Sequence, residues 1–418
     1  MSITILIIGS LVFFAHFLSL QFSRTHIPDV LVLMLLGILI GPLFGIVSPA
    51  DFGRVGPLIA TIALVVILFE GGTSLKLDVM AKSLHTTGFL AVACFILTTV
   101  IITLIGVFAL GLTIMPAMML GLILGCTSSA VVIPMVKSLK MGDKPSTVLV
   151  LESALTDVLS IVGVFALLQI HSHGDVEPGR LIGSVMAALV IAAMIGVIGG
   201  VGWLMVLSKM RDFPNTISST LAYVFIVYGL TELLEFSGAI AALALGITLT
   251  NYKKLGLGRL SFLKNNQKLV PLNETDLSFY HEVVFLLKTY FFIYLGISIN
   301  FGLEEIHPAI AAISMVFMVY AMRLALTRYV YRDVNYSLRD TALTSLMAPK
   351  GLASAVLATL PLKFGVEGGD VIRDVTYMVV LFSITLTALL VIAYPRDFAQ
   401  RVYSHTLRKP LDSAPAKK

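Results

Sequence analysis

Apolar runs of roughly 17 to 25 residues, each long enough to cross a bilayer as a helix, follow one another along almost the whole of this 418-residue chain. In hydrocarbon every backbone donor and acceptor must be satisfied within the protein, so such runs fold as α-helices. They fall near 3–20, 29–47, 57–72, 84–109, 114–138, 146–170, 181–207, 217–234, 237–250, 280–299, 306–327, 340–362 and 373–394. This predicts an all-α polytopic membrane protein of about 13 transmembrane helices. A content of 57% hydrophobic and 13% charged residues, with mean hydropathy +0.96, describes a chain whose main solvent is lipid.

Short loops rich in Lys and Arg stay cytoplasmic. Loops after odd-numbered spans, together with Lys137 at the end of span five and the C-terminal tail, carry 22 of the 29 Lys and Arg residues. The opposite side carries Arg54, Arg180, Lys363 and, at the very start of the last span, Arg373, while Lys288, Arg323 and Lys350 fall deeper inside spans. The N-terminus is therefore expected outside and the C-terminus in the cytoplasm. The net charge of +5 is mostly this bias and gives no reason to expect nucleic acid as a partner. Cys94 and Cys126 lie within spans and suggest neither a disulfide framework nor a metal site. The first span lacks a basic leader and reads as an uncleaved helix, and residues 395–418 read as a short basic tail.

Two spans carry interruptions that a lipid-facing helix avoids. Span five contains Gly125-Cys126-Thr127-Ser128-Ser129 followed by Pro134, and span twelve contains Pro349-Lys350-Gly351 at its centre. Proline removes a backbone donor and glycine loosens the helix, so each span is expected to be two half-helices joined by extended backbone. Such backbone persists only inside protein or against a polar cavity. With repeat one at about 1–170, a linker helix at about 181–207 and repeat two at about 217–394, spans five and twelve occupy matching places in two inverted six-helix repeats. Paired broken helices crossing near the midplane are the sequence mark of a transporter. Residues 1–394 are then one transmembrane transport domain.

Span six is apolar apart from Glu152, Ser153, Thr156, Asp157 and Ser160. Carboxylates at that depth are costly unless each has a partner or a job. Ser153, Asp157 and Ser160 share one helical stripe with Thr156 beside it, so Thr156, like Ser128 in the broken helix, is a candidate to face the ion, whereas Glu152 and Asp157 point about 140° apart at 100° per residue. The two acids therefore do different work. Asp157, near the midplane among hydroxyls, can hold a proton or a small cation but not both, and that competition coupled to alternating access yields antiport. Glu152 needs a permanent partner, for which Arg323 in apolar span eleven is the candidate; the alternative for Arg323 is to snorkel to the cytoplasmic headgroups.

Phe69-Glu70-Gly71-Gly72, Thr127-Ser128, Glu152-Ser153-Ala154-Leu155-Thr156-Asp157, Arg323 and Pro349-Lys350-Gly351-Leu352-Ala353-Ser354-Ala355-Val356 occur in the order found in monovalent cation/proton antiporters of the sodium–proton exchanger (NhaP-like) type, which the chain resembles over nearly its whole length. The resemblance implies that Asp157 binds Na⁺ or K⁺ and the proton in turn, and that Glu152 pairs with Arg323. It implies that Ser153, the backbone around Thr127, and Glu70 contribute around the ion. It also implies a homodimer in which a core domain moves against a dimerisation domain. A prokaryotic inner or plasma membrane is the expected location.

Three departures modify that expectation. Thr156 stands where the family has Asn, Ser128-Ser129 where it has Asp-Pro, and Lys350 where it has Arg. The Thr-Ser-Ser run is similar to the potassium–proton branch, so K⁺ stays beside Na⁺. Lys350 keeps a charge in the broken helix but loses the planar fork. With Ser128 in place of an acid and Glu152 held by Arg323, one titratable carboxylate is left, which predicts electroneutral exchange of one cation per proton. Lys288 receives no role, and His171 and His173 are expected in a solvated outer loop.

The sequence has no His-Glu-x-x-His motif, paired-Asp set or serine–base pair for intramembrane hydrolysis, and no Walker-type loop. No enzyme activity and no cofactor are expected. A cation channel is a remote alternative, set apart from a carrier by its lack of saturation. An organic-anion carrier would want cations at the crossing rather than Asp157.

Overall fold

The computed structural model describes residues 28–53, 55–74, 77–173, 178–209, 216–256, 274–299, 307–332 and 336–407, with a few isolated positions besides. The expected first span at 3–20 lies outside them except at three isolated positions, and so do residues 408 and 410–418 of the tail. The described residues contain helices and connecting turns but no strand.

The helices are α1 (Asp29–Ile38), α2 (Val55–Ser74), α3 (Leu77–Leu110), α4 (Ile114–Gly125), α5 (Ser129–Ser138), α6 (Asp143–His173), α7 (Pro178–Lys209) and α8 (Thr216–Leu233). They continue with α9 (Gly238–Asn251), α10 (Glu274–Ser298), α11 (His307–Val330), α12 (Leu338–Leu346), α13 (Leu352–Leu357), α14 (Thr359–Lys363), α15 (Gly369–Ala393) and α16 (Asp397–Leu407). Among the described residues, seven segments are long and apolar enough to cross a membrane, and shorter apolar helices make up the rest. Exposed Phe108, Ile198, Leu230, Phe317 and Leu389 fit helices whose outer faces meet lipid rather than water.

Helix ends follow local chemistry. Pro28 precedes α1 and Asp29 opens it, a common helix-start pattern. A π-turn at Leu39–Leu43 accommodates Pro42. Ser237 caps α9 by accepting from the Ile240 amide, and Glu232 accepts from the Gly238 amide at 2.7 Å. Glu232 thus serves a helix N-terminus. α6 runs through His173, beyond the expected loop boundary, and His171 on it is exposed.

The chain divides into two compact units, one comprising residues 1–52, 83–168 and 292–418, the other 53–82 and 169–291. In the second unit α9 packs closely on α2 and on α7. A Cβ on Gly72 would come within 2.4 Å of the Leu243 carbonyl, one on Gly246 within 2.3 Å of the Phe69 carbonyl, and one on Gly196 within 2.3 Å of the Ala241 carbonyl. Small residues let helix backbones approach where no hydrophobic drive separates protein from lipid. Around this seam lie Val65, Phe69, Leu204, Leu245 and Tyr280. Trp203 stacks on Tyr223 and donates its indole N–H to Thr220.

In the first unit spans five and twelve are both interrupted. α4 stops at Gly125, Cys126 is extended (φ −75°, ψ 158°), and α5 begins at Ser129. α12 stops at Leu346, and extended backbone through Gly351 leads into α13. The backbone is helical through Pro134, so the break in span five comes from the Cys126-Thr127-Ser128 stretch alone.

Candidate ion-exchange site

The two unwound stretches touch. The Ser128 amide donates to the Pro349 carbonyl at 2.8 Å. A Cβ on Gly351 would lie 2.0 Å from the Ser128 hydroxyl oxygen, so only glycine admits this approach. Gly351 itself is extended at φ −162°; the demand is for space, not for an unusual backbone angle.

Interrupting a helix strands backbone groups that must find partners elsewhere. The Thr127 amide donates to Thr156 Oγ1 at 3.1 Å. The Cys126 carbonyl, at the C-terminal end of α4, accepts from Lys350 Nζ at 3.0 Å. The Lys350 amide donates to Ser383 Oγ at 2.9 Å, and Ser383 Oγ donates to its own helix at Val380. Tyr320 on α11 donates its hydroxyl to the Ser383 carbonyl at 2.9 Å. The buried Lys350 therefore places a positive charge where the carbonyl end of a half-helix favours one.

α6 brings its polar stripe to this crossing. Ser160 Oγ donates to the Leu122 carbonyl at 2.7 Å and fixes α6 against α4. Thr156 donates to the Glu152 and Ser153 carbonyls at 2.9 and 3.1 Å while accepting from Thr127, so its hydroxyl braces the break. Ser153 Oγ donates to the Val150 carbonyl within its own helix. Asp157 is buried, and its Oδ2 accepts from Ser129 Oγ at 3.0 Å. Asp157 Oδ1 and Ser128 Oγ, by contrast, are buried and have no hydrogen-bond partner. Other buried hydroxyls, such as those of Thr103 and Thr376, also lack a partner; what sets this pair apart is that one of the two atoms belongs to a carboxyl group at the meeting of two interrupted helices.

Glu152 faces another way. Its Oε1 and Oε2 lie 2.5 and 2.9 Å from Arg323 Nη1 and Nη2, a two-point fork, with both side chains almost wholly buried. Arg323 Nε donates to the Thr344 carbonyl at 3.0 Å, and Nη1 also reaches Cys94 Sγ at 3.7 Å. Both carboxylate oxygens and every guanidinium nitrogen are thereby engaged.

Of the residues singled out from sequence, Thr127, Ser128, Glu152, Ser153, Thr156, Asp157, Arg323 and Lys350 all belong to the first unit. Glu70 belongs to the second, where its Oε1 lies 3.0 Å from His281 Nδ1. Lys288 is buried, its ammonium 5.6 Å from the Phe285 ring centroid. Sequence reasoning passed over Ser129, Ser383 and Cys126, whose thiol lies 3.1 Å from Ser354 Oγ. The signal for Ser129 was its place as the first residue after the break. Ser383 had only its spacing from Thr387, a polar pair four residues apart on an apolar helix.

Broken helices crossing beside a buried carboxylate are the architecture of a membrane antiporter. The fold matches that of the sodium proton antiporter MjNhaP1 from Methanocaldococcus jannaschii at pH 8 with a TM-score of 0.71 and 20% identity, over 93% of this chain and 99% of that one. The model of the family "Sodium/hydrogen exchanger, transmembrane" matches residues 9–392, and the chain belongs to that family. It is 25% identical over 397 residues to the K(+)/H(+) antiporter NhaP of Alkalimonas amylolytica, covering 92% of this chain and 64% of that protein. It is 24% identical over 275 residues to the Na(+)/H(+) antiporter NhaS2 of Synechocystis sp., covering 63% of this chain and 48% of that protein. The chain thus spans less than two thirds of the length of these curated relatives, which are antiporters rather than enzymes.

Proposed function

We propose that this protein exchanges a monovalent cation, Na⁺ or K⁺, for protons across a prokaryotic inner or plasma membrane by alternating access. The observation that carries this reading is the buried, unpartnered pair of Asp157 Oδ1 and Ser128 Oγ where the two broken spans meet. A bare carboxylate oxygen in that setting takes either a proton or a cation, since a second positive charge beside the first is unfavourable. Hydroxyl and carbonyl oxygens complete a site for a hard monovalent ion.

Glu152 takes no part in the exchange, because Arg323 neutralises it through a two-point contact. One exchanging carboxylate remains, which gives one cation per proton and no net charge movement. The site lies within a single compact unit, so its geometry can be carried from one side to the other intact. Contributions of Ser153 and Glu70 to the ion rest on the family resemblance alone. We extend the reading to 13 spans in two inverted repeats, with the N-terminus outside, the C-terminus cytoplasmic, and a homodimeric assembly.

K⁺/H⁺ exchange is the second reading. It is favoured by Ser128 and Thr156 in place of the family's acid and amide, since fewer charges around the ion suit the cation that dehydrates more easily. The name of the Alkalimonas relative points the same way, and those of MjNhaP1 and NhaS2 point to sodium.

The test is recovery of a pH-sensitive dye in proteoliposomes as Na⁺, K⁺ and Li⁺ are added in turn, with wild type and Asp157→Asn. Wild type is expected to dissipate the proton gradient with at least one ion and Asp157→Asn with none. Equal exchange by both proteins would overturn the proposal, and a voltage-driven flux without a pH gradient would overturn its electroneutral form.

A further inference from the structure

Ser129 is the residue whose contact changes what Asp157 offers to an ion. Its hydroxyl occupies Oδ2 at 3.0 Å and leaves Oδ1 as the open oxygen. The neighbouring hydroxyls do other work. Thr156 holds the Thr127 amide and its own helix, Ser153 is turned to Val150, and Ser160 to Leu122. Ser128 is the remaining unpartnered hydroxyl at the crossing, and Gly351 presses on it from the facing strand of backbone.

Resting on the antiport reading above, we infer that Ser129 is a positioning residue that sets cation preference by confining Asp157 to single-oxygen coordination through Oδ1. A carboxylate that offers one oxygen can approach a small cation closely. One that offers both oxygens grips the ion across its bite, a mode the larger of two like-charged cations accepts more readily, as Ca²⁺ does compared with Mg²⁺. With Ser129 on Oδ2, proton and cation also compete for the same atom rather than for either of two. The hydroxyl donor serves in both states, since Oδ2 is an acceptor whether Oδ1 holds a proton or an ion.

The experiment measures apparent KM and Vmax for Na⁺ and K⁺ in proteoliposomes for wild type, Ser129→Ala, Ser129→Cys and Ser129→Thr. Ser129→Ala is expected to raise the ratio of the Na⁺ KM to the K⁺ KM about threefold or more, with Vmax within about twofold, because the freed Oδ2 favours the larger ion. Ser129→Cys, nearly isosteric but a weak donor, is expected to follow Ala, and Ser129→Thr, which keeps the hydroxyl, to retain the wild-type ratio. Ion-induced shifts in melting temperature of the purified protein give the same ordering without transport, and cover a variant that folds but does not turn over. An unchanged ratio in both Ala and Cys variants, or a Thr variant that behaves as Ala, would overturn the inference. Full activity in Asp157→Asn would instead overturn the underlying antiport reading, so the two failures are distinct.

Discussion

Glycines bring backbones together in both compact units, but they join different things. In the second unit Gly72, Gly196 and Gly246 press continuous helices against one another, and the surroundings are apolar or aromatic. In the first, Gly351 admits Ser128 between interrupted helices, and the surroundings are hydroxyls, an ammonium and a carboxylate. A continuous helix satisfies its own backbone, so close approach there supplies packing and little else. An interrupted helix must borrow partners from other spans, and the atoms left over at the end of that borrowing are the ones available to an ion.

The comparison can be broken most directly at its polar end. Asp157→Asn is expected to abolish cation-driven proton flux in proteoliposomes while the protein still elutes as a folded species, because the amide cannot exchange a proton for a cation. Glu152→Gln should act oppositely, chiefly on the fold: loss of one partner leaves Arg323 uncompensated at a cost of about 3–5 kcal/mol, read as a large drop in melting temperature in detergent. Next come the glycines. Gly246→Ala and Gly351→Ala should each destabilise by about 1–3 kcal/mol through overpacking, but only Gly351→Ala should reduce transport beyond what its melting loss explains. If Gly246→Ala impaired transport as severely at equal stability, the distinction between the two seams would fail. Smallest is Ser160→Ala, which removes the bond to the Leu122 carbonyl and should cost about 1 kcal/mol with exchange retained.

Much of this was legible in the sequence because lipid leaves a chain few choices. Run lengths located most of the described helices, and Gly-Cys-Thr-Ser-Ser and Pro-Lys-Gly located the breaks. Helical phase separated Asp157 from Glu152, and the one deeply buried arginine on span eleven named itself as a partner. What periodicity could not supply was the direction of individual hydroxyls. Thr156 reads from sequence as a residue facing the ion, yet its oxygen accepts from the Thr127 amide and its proton goes to its own helix. Ser129 reads as the tail of a polar run, yet it holds a carboxylate oxygen. Glu70 sits in a motif beside two glycines, and its contact with His281 depends on α10 lying against α2, a tertiary fact with no local trace.

The contact between Lys350 and the Cys126 carbonyl joins residues 224 positions apart in the chain. During synthesis the first interruption therefore emerges long before the spans that complete it. Until Pro349, Lys350 and Ser383 have been inserted, the amide of Ser128 and the carbonyl of Cys126 must be served by water or by the insertion machinery. The crossing of the two interrupted spans is thus completed only once α15, which carries Ser383, has joined the helices before it.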